Sequence, residues 1–120
     1  MIRLLVSLSL IVGASALSAQ ARTAVAPGAV LRVLDKVSGS TADFELRNGT
    51  AARVGRLDIA VSECRYPEGN RSGDAYVGIE IRETGRDEPV FEGWMIASAP
   101  ALSALDHARY DIWVIGCMTS

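Results

Sequence analysis

Apolar and polar residues alternate with a period of two along most of the chain beyond residue 29, a pattern typical of β-strands with one buried face. The alternation is clearest in residues 41–47, where charged residues separate Ala42, Phe44 and Leu46. Segments predicted as strands are residues 30–37, 41–47, 51–54, 57–64, 77–82, 90–96 and 110–117. The pattern therefore predicts a mainly all-β domain.

Residues that favour turns separate these segments at intervals of about 8–12 residues. This spacing predicts a compact β-sandwich or small barrel of about seven short strands, and periodicity alone does not distinguish the two. Residues 110–117 are apolar on both faces, which favours a central position in a sheet. One short helix is predicted near residues 99–107, because Ser98 suits an N-cap and Pro100 suits a first helical turn.

The first 21 residues have the features of a cleavable secretory signal peptide. Residues 4–16 are almost wholly apolar, and residues 19–21 match a small-x-small cleavage site near Ala21. The apolar run is shorter than the ~20 residues that span a bilayer, so no transmembrane segment is expected in the mature chain. Beyond the signal peptide we predict a flexible leader over residues 22–28 and a single β-rich domain over residues 29–120.

Charge and cysteine content narrow the possible environments and partners. The chain has 12 Lys+Arg against 14 Asp+Glu, and this mildly acidic balance gives no basic footprint for nucleic acid. Cys64 and Cys117 are its two cysteines. An even cysteine count in an exported chain predicts a disulfide between them, the alternative being two free buried thiols.

Three stretches of the chain together resemble a known family. They are residues 31–39 with Asp43-Phe44, residues 55–59 running to Cys64, and residues 91–107 continuing through Tyr110 to Cys117. These stretches are similar to the family called domain of unknown function 2155, small exported proteins of Gram-negative bacteria. The resemblance implies a periplasmic location, paired cysteines and one compact domain, and it implies no activity, cofactor or catalytic residue.

Candidate catalytic groups are few. A serine hydrolase would need Ser98 or Ser103 as nucleophile and His107 as base, since His107 is the single histidine. However, the sequence has no Gly-x-Ser-x-Gly elbow and no apparent oxyanion loop. One histidine without an aspartate-rich loop also provides no metal-binding pattern. We therefore expect a non-catalytic domain without cofactor.

Two groups of residues remain as candidate binding sites. Trp94, Ser98, Pro100 and Leu102 form a predicted partner surface, and Asp35, Lys36 and His107 form a possible polar site. An ion pair between Asp35 and Lys36 would fix the first hairpin. The leading hypothesis is a periplasmic binding or structural domain that contacts an envelope or inner-membrane protein. The alternatives are a carbohydrate-binding module that uses Trp94, and a small hydrolase; oligomeric state is left open.

Overall fold

A computed structural model describes residues 22–120, and the predicted signal peptide lies outside the described residues. The described part contains eight β-strands and one short 3₁₀ turn, Pro100–Ser103. The strands are β1 (Thr23–Ala26), β2 (Gly28–Asp35), β3 (Thr41–Arg47), β4 (Thr50–Val54), β5 (Leu57–Pro67), β6 (Tyr76–Glu83), β7 (Pro89–Ile96) and β8 (Tyr110–Cys117). The all-β prediction is therefore confirmed.

The strands form two antiparallel sheets that pack face to face as a sandwich. The strand order of the first sheet is β1-β5-β6-β7. Strand β4 also pairs with β5, along the part of β5 that does not pair with β1. The second sheet has the order β3-β2-β8. Two open sheets with a shared core resolve the predicted choice between sandwich and barrel in favour of the sandwich.

The core lies between the inner faces of the two sheets and follows directly from the period-two pattern. Leu57, Ile59 and Val61 of β5 are almost completely buried, while the intervening side chains point outward. Equivalent inward residues come from β2, β6 and β8: Leu31 and Val33, Val77, Ile79 and Ile81, and Ile112 and Val114. Each such side chain contributes about 1.5–3 kcal/mol of hydrophobic stabilisation.

Residues 23–26 belong to strand β1, whereas the sequence pattern predicted a flexible leader over residues 22–28. The reason lies in the length of β5, which has 11 residues. Strand β4 pairs only with its first part, residues 57–61. Strand β1 then pairs with residues 64–67 and uses backbone hydrogen-bonding groups that would otherwise be unpaired.

The helix predicted near residues 99–107 is reduced to the single 3₁₀ turn. Leu105 is buried, but Leu102 is 77% exposed, so the two leucines share no buried face that would favour a longer helix. Ala99 occupies the N-cap position without a side-chain cap, which corrects the N-cap role predicted for Ser98. No helix within residues 22–120 is long and apolar enough to cross a bilayer.

Strand β8 lies at an edge of the second sheet, and β2 takes the central place that was predicted for residues 110–117. The apolar residues on the outer face of β8 are only partly covered, and Ile115 is 43% exposed. Apolarity on both faces was therefore a misleading indicator of a central strand here.

Candidate functional site

An open groove crosses the outer face of the first sheet, from the start of β4 to the middle of β7. It encloses about 450 Å³. Trp94 of β7 forms one side, and Gly49 and Thr50 lie at the other. The floor consists of small side chains, among them Ala60, Ser62 and Gly78. Hereafter this feature is called the Trp94 groove.

Strand register explains why the groove is there. Gly78 of β6 lies directly opposite Trp94, and the bulge in β5 between Val61 and Glu63 places Ser62 on the other side of Gly78. The absence of a side chain at Gly78 makes room for Ser62, since an added Cβ would overlap the Ser62 hydroxyl, whereas at 3.6 Å it would only make an ordinary contact with the Trp94 ring. The Ser62 hydroxyl donates to the Gly78 carbonyl at 3.2 Å. Trp94 nevertheless remains 46% exposed, so part of the indole is open to contact from solvent.

The charged residues that line the groove are Glu80 and Glu92, and they are cross-strand partners. Arg82 pairs with Glu80 along the same strand. Within residues 22–120, no basic side chain lies within ion-pair distance of Glu92. The groove is therefore acidic, with one carboxylate lacking a counter-charge.

The structure divides the predicted partner surface of Trp94, Ser98, Pro100 and Leu102. Trp94 belongs to the groove, whereas Pro100 lines a separate apolar hollow beside Trp113 on β8. Leu102 points into solvent. The four residues therefore do not form one continuous site.

Ser98 has a structural contact of its own. Its backbone N–H donates to Asp74 Oδ1 at 2.9 Å, and its hydroxyl donates to Asp74 Oδ2 at 2.5 Å. The Ala75 N–H donates to the same carboxylate at 2.9 Å. Burial alone would raise the pKa of Asp74, but the hydrogen bonds from Ser98 and Ala75 outweigh it and lower that pKa below its ordinary value.

The structure does bring Asp35, Lys36 and His107 together, at the end of the sandwich where β8 begins. Asp35 and Lys36 do not pair with each other. Instead Asp35 pairs with Arg109 at 3.0 Å, while Lys36 donates to the His107 carbonyl at 2.7 Å and lies 3.4 Å from Asp111. The hydrogen bond from the Arg109 guanidinium lowers the pKa of Asp35, and donation from the backbone N–H groups of the following turn lowers it further.

Both ring nitrogens of His107 are occupied. Nδ1 accepts from the backbone N–H groups of Arg109 at 3.0 Å and Tyr110 at 3.2 Å, so the proton of the neutral ring resides on Nε2. Nε2 donates to Glu83 at 2.8 Å. A general base needs a free lone pair facing the nucleophile, and this ring presents none.

The contacts of Ser98 and His107 also place these two side chains far apart. Asp74, the partner of Ser98, precedes β6, whereas Glu83, the partner of His107, ends it. At a rise of about 3.3 Å per residue, the length of β6 separates the two positions by roughly 25 Å. A Ser98–His107 pair therefore does not exist in this structure.

Cys64 and Cys117 are joined by a disulfide, as the sequence predicted, with their Cα atoms 5.8 Å apart. Cys64 lies on β5 of the first sheet and Cys117 ends β8 of the second, so the bond connects the two sheets. Among residues 22–120, no three His, Cys, Asp or Glu side chains cluster in a way that could hold a metal ion.

Sequence reasoning identified Trp94 but not the groove residues of β6, Gly78 and Glu80. The alternation of Val77, Ile79 and Ile81 with Gly78 and Glu80 already indicated an outward face. What the sequence lacked was the register between β6 and β7, which sets Gly78 against Trp94. A glycine and a tryptophan on neighbouring predicted strands are the available signal for such a groove.

Comparison with known proteins indicates the family of this chain. Residues 29–117 match the family described as an uncharacterized protein conserved in bacteria, DUF2155. The uncharacterized protein RP359 of Rickettsia prowazekii (strain Madrid E) is 28% identical over 87 residues, which cover 70% of this chain. The aligned region spans 56% of that relative's length. No solved structure matches the chain significantly. Because the family match takes in every strand from β3 to β8 and nearly all of β2, this chain belongs to the DUF2155 family.

Proposed function

We propose that this chain is an exported, non-catalytic binding domain of the periplasm that docks a protein of the cell envelope through the Trp94 groove. The observation that carries the proposal is a half-exposed indole beside an open groove with a floor of small side chains. Partly exposed tryptophans in such settings are frequent binding hot spots. The disulfide supports export, since such bonds persist in oxidising compartments.

Site-specific photo-cross-linking in cells tests the proposal. A photoreactive residue replaces Thr50, which lines the groove opposite Trp94, and in a control variant it replaces Val37, which is 77% exposed on the β2–β3 turn. We expect one envelope protein to be cross-linked from position 50 and not from position 37. Trp94→Ala in the first variant should abolish that product. Identical products from both positions, or none from position 50, would contradict the proposal.

A carbohydrate-binding module is the second candidate, because the exposed face of Trp94 would stack on a sugar ring. The groove favours a protein partner, since few side chains in it can hydrogen-bond to sugar hydroxyls, chiefly Thr50, Ser62, Glu80 and Glu92. Co-sedimentation with purified peptidoglycan separates the two. Loss of co-sedimentation in Trp94→Ala, without a cross-linked protein, would establish the carbohydrate module instead.

A further inference from the structure

The charged residues that line the Trp94 groove indicate which chemical group it binds. Glu80 and Glu92 face each other across β6 and β7, and like charges directly opposite in a sheet destabilise it. Arg82 neutralises Glu80 from within the strand. Glu92 has no such partner among the described residues, so its negative charge is available to a cation from outside.

Trp94 supplies a second attraction for the same cation. Glu92 and Trp94 are two residues apart on β7, so their side chains lie on the same face of the sheet. A cation over an indole ring is attracted by the negative face of the π-system, and tryptophan is the best of the aromatic residues in this respect. A group that stacks on Trp94 can therefore also reach the carboxylate of Glu92.

We infer that the Trp94 groove binds an arginine side chain of the partner protein, with the guanidinium stacked on Trp94 and hydrogen-bonded to Glu92. This inference rests on the proposed function and deepens it. A guanidinium fits because it is planar, stacks on aromatic rings and presents a fork of N–H donors to a carboxylate. A lysine ammonium is a strongly hydrated point charge that uses the ring face less well. A metal ion is disfavoured, because among residues 22–120 no three acidic, histidine or cysteine side chains cluster in a way that could hold one.

The floor of the groove leaves room for the main chain that carries this arginine. Ala51, Ala60 and Gly78 project little or nothing above the sheet between the two sides of the groove. An extended segment of the partner can therefore cross β4, β5 and β6 and deliver its arginine at β7. The occupant is accordingly a basic, extended segment of a protein.

NMR titration of the ¹⁵N-labelled mature protein tests the inference. The probe is an acetylated and amidated pentapeptide with an arginine between Gly-Ser and Ser-Gly, and the matched control peptide carries neutral citrulline instead. We expect the indole N–H of Trp94 to shift saturably with the arginine peptide, while the indole N–H of Trp113 stays fixed as an internal reference. The citrulline peptide should bind roughly tenfold more weakly or not at all.

Two variants test whether the carboxylate of Glu92 is the one that binds the arginine. Glu92→Gln should weaken arginine-peptide binding roughly fivefold or more. Glu45→Gln, which removes another exposed carboxylate, on β3 of the other sheet, should leave binding within about twofold. An unmoved Trp94 signal, equal binding of both peptides, or equal losses in the two variants would overturn arginine recognition. If position 50 still cross-links an envelope protein in that event, protein docking stands and only its arginine specificity fails.

Discussion

At the scale of single residues, position 55 requires a glycine for two reasons, its backbone conformation and a close contact. Gly55 adopts a left-handed conformation with φ of 58°, which disfavours any side chain. A Cβ at this position would also overlap the hydroxyl of Tyr110. That hydroxyl accepts the backbone N–H of Arg56 at 3.3 Å, so the β4–β5 turn closes directly onto the Tyr110 side chain.

We predict that Gly55→Ala destabilises the fold by about 3 kcal/mol, the combined cost of a left-handed alanine and a steric overlap. Gly49→Ala is the matched control, because Gly49 has φ of 76° but nothing within 4 Å of an added Cβ. Its cost should be about 1 kcal/mol. Urea unfolding with the disulfide intact gives both values.

Tyr110→Phe removes the overlapping hydroxyl and so separates the two contributions. In that background the cost of Gly55→Ala should fall by about 1 kcal/mol while that of Gly49→Ala stays the same. Equal costs for the two glycines in the wild-type background would contradict the steric part of the explanation. The sequence indicated a bend at Gly55, but contact with a residue more than 50 positions away is visible only in the fold.

At the scale of elements, the Asp74–Ser98 contact ties the loop before β6 to the segment that follows β7. The backbone N–H of Ala97 also donates to the Ala75 carbonyl at 2.9 Å, so side-chain and main-chain bonds act in parallel. Because the pKa of Asp74 is lowered in the folded state, its stabilising contribution is present above the ordinary aspartate pKa. That contribution is lost as the pH falls through the lowered value.

We predict that Ser98→Ala costs about 1 kcal/mol at neutral pH, through loss of a hydrogen bond to a partly exposed carboxylate. The cost should begin to shrink below the ordinary aspartate pKa of about 3.9, where Asp74 of the unfolded chain takes up a proton, and it should be smallest once the pH has passed the lowered pKa of the folded state. Urea unfolding from neutral to acidic pH measures it. Ser40→Ala is the control, since the Ser40 hydroxyl hydrogen-bonds to the Ser38 hydroxyl at 2.8 Å and, among the described residues, to no carboxylate. A pH-independent cost for Ser98→Ala would refute the assignment.

Most strands were predictable at this scale, and the exceptions have physical reasons. Alternation, or apolar composition in the case of β8, identified the seven strands from β2 to β8, since most of them bury one face and β4 contributes the partly buried Ala52 and Val54. Strand β1 was not predicted, because its formation depends on the otherwise unpaired end of β5 and not on its own residues. The predicted helix was too long, because Leu102 and Leu105 have helical spacing but only Leu105 is buried in the core.

At the scale of the whole molecule, the Cys64–Cys117 bond is a covalent cross-link between two sheets that also share a core and the chain connections β1–β2, β3–β4 and β7–β8. The two cysteines are 53 positions apart in sequence. A bond that closes such a loop removes much of the conformational freedom of the unfolded chain, which in the chain-entropy treatment stabilises the fold by about 4 kcal/mol. Small domains have about 5–15 kcal/mol of net stability in total.

We therefore predict that the double variant Cys64→Ala with Cys117→Ala loses about 4 kcal/mol in urea unfolding relative to the oxidised protein. Reductant should destabilise the wild type by a similar amount and leave the double variant unchanged. A loss below about 1 kcal/mol would show that the loop contributes little.

The candidate site was less predictable than the fold, because it depends on how strands meet. Trp94 was singled out from its residue type, and the disulfide from a count of two cysteines. The neighbours that make Trp94 part of a groove are set by register and by the β5 bulge. Neither can be read from residue types, except that a glycine, Gly78, occupies an outward-facing position of β6.

Strand β8 is secured at both of its ends. The disulfide holds Cys117, and the ion pair of Arg109 with Asp35 and the hydrogen bond of His107 to Glu83 hold the chain just before Tyr110. Cys64 and Glu83 belong to the first sheet, so sliding of one sheet past the other would have to break the disulfide or the His107–Glu83 hydrogen bond, and shear within the sandwich is suppressed. The outer face of the first sheet should therefore keep the same backbone, within about 1 Å, whether or not a ligand occupies it.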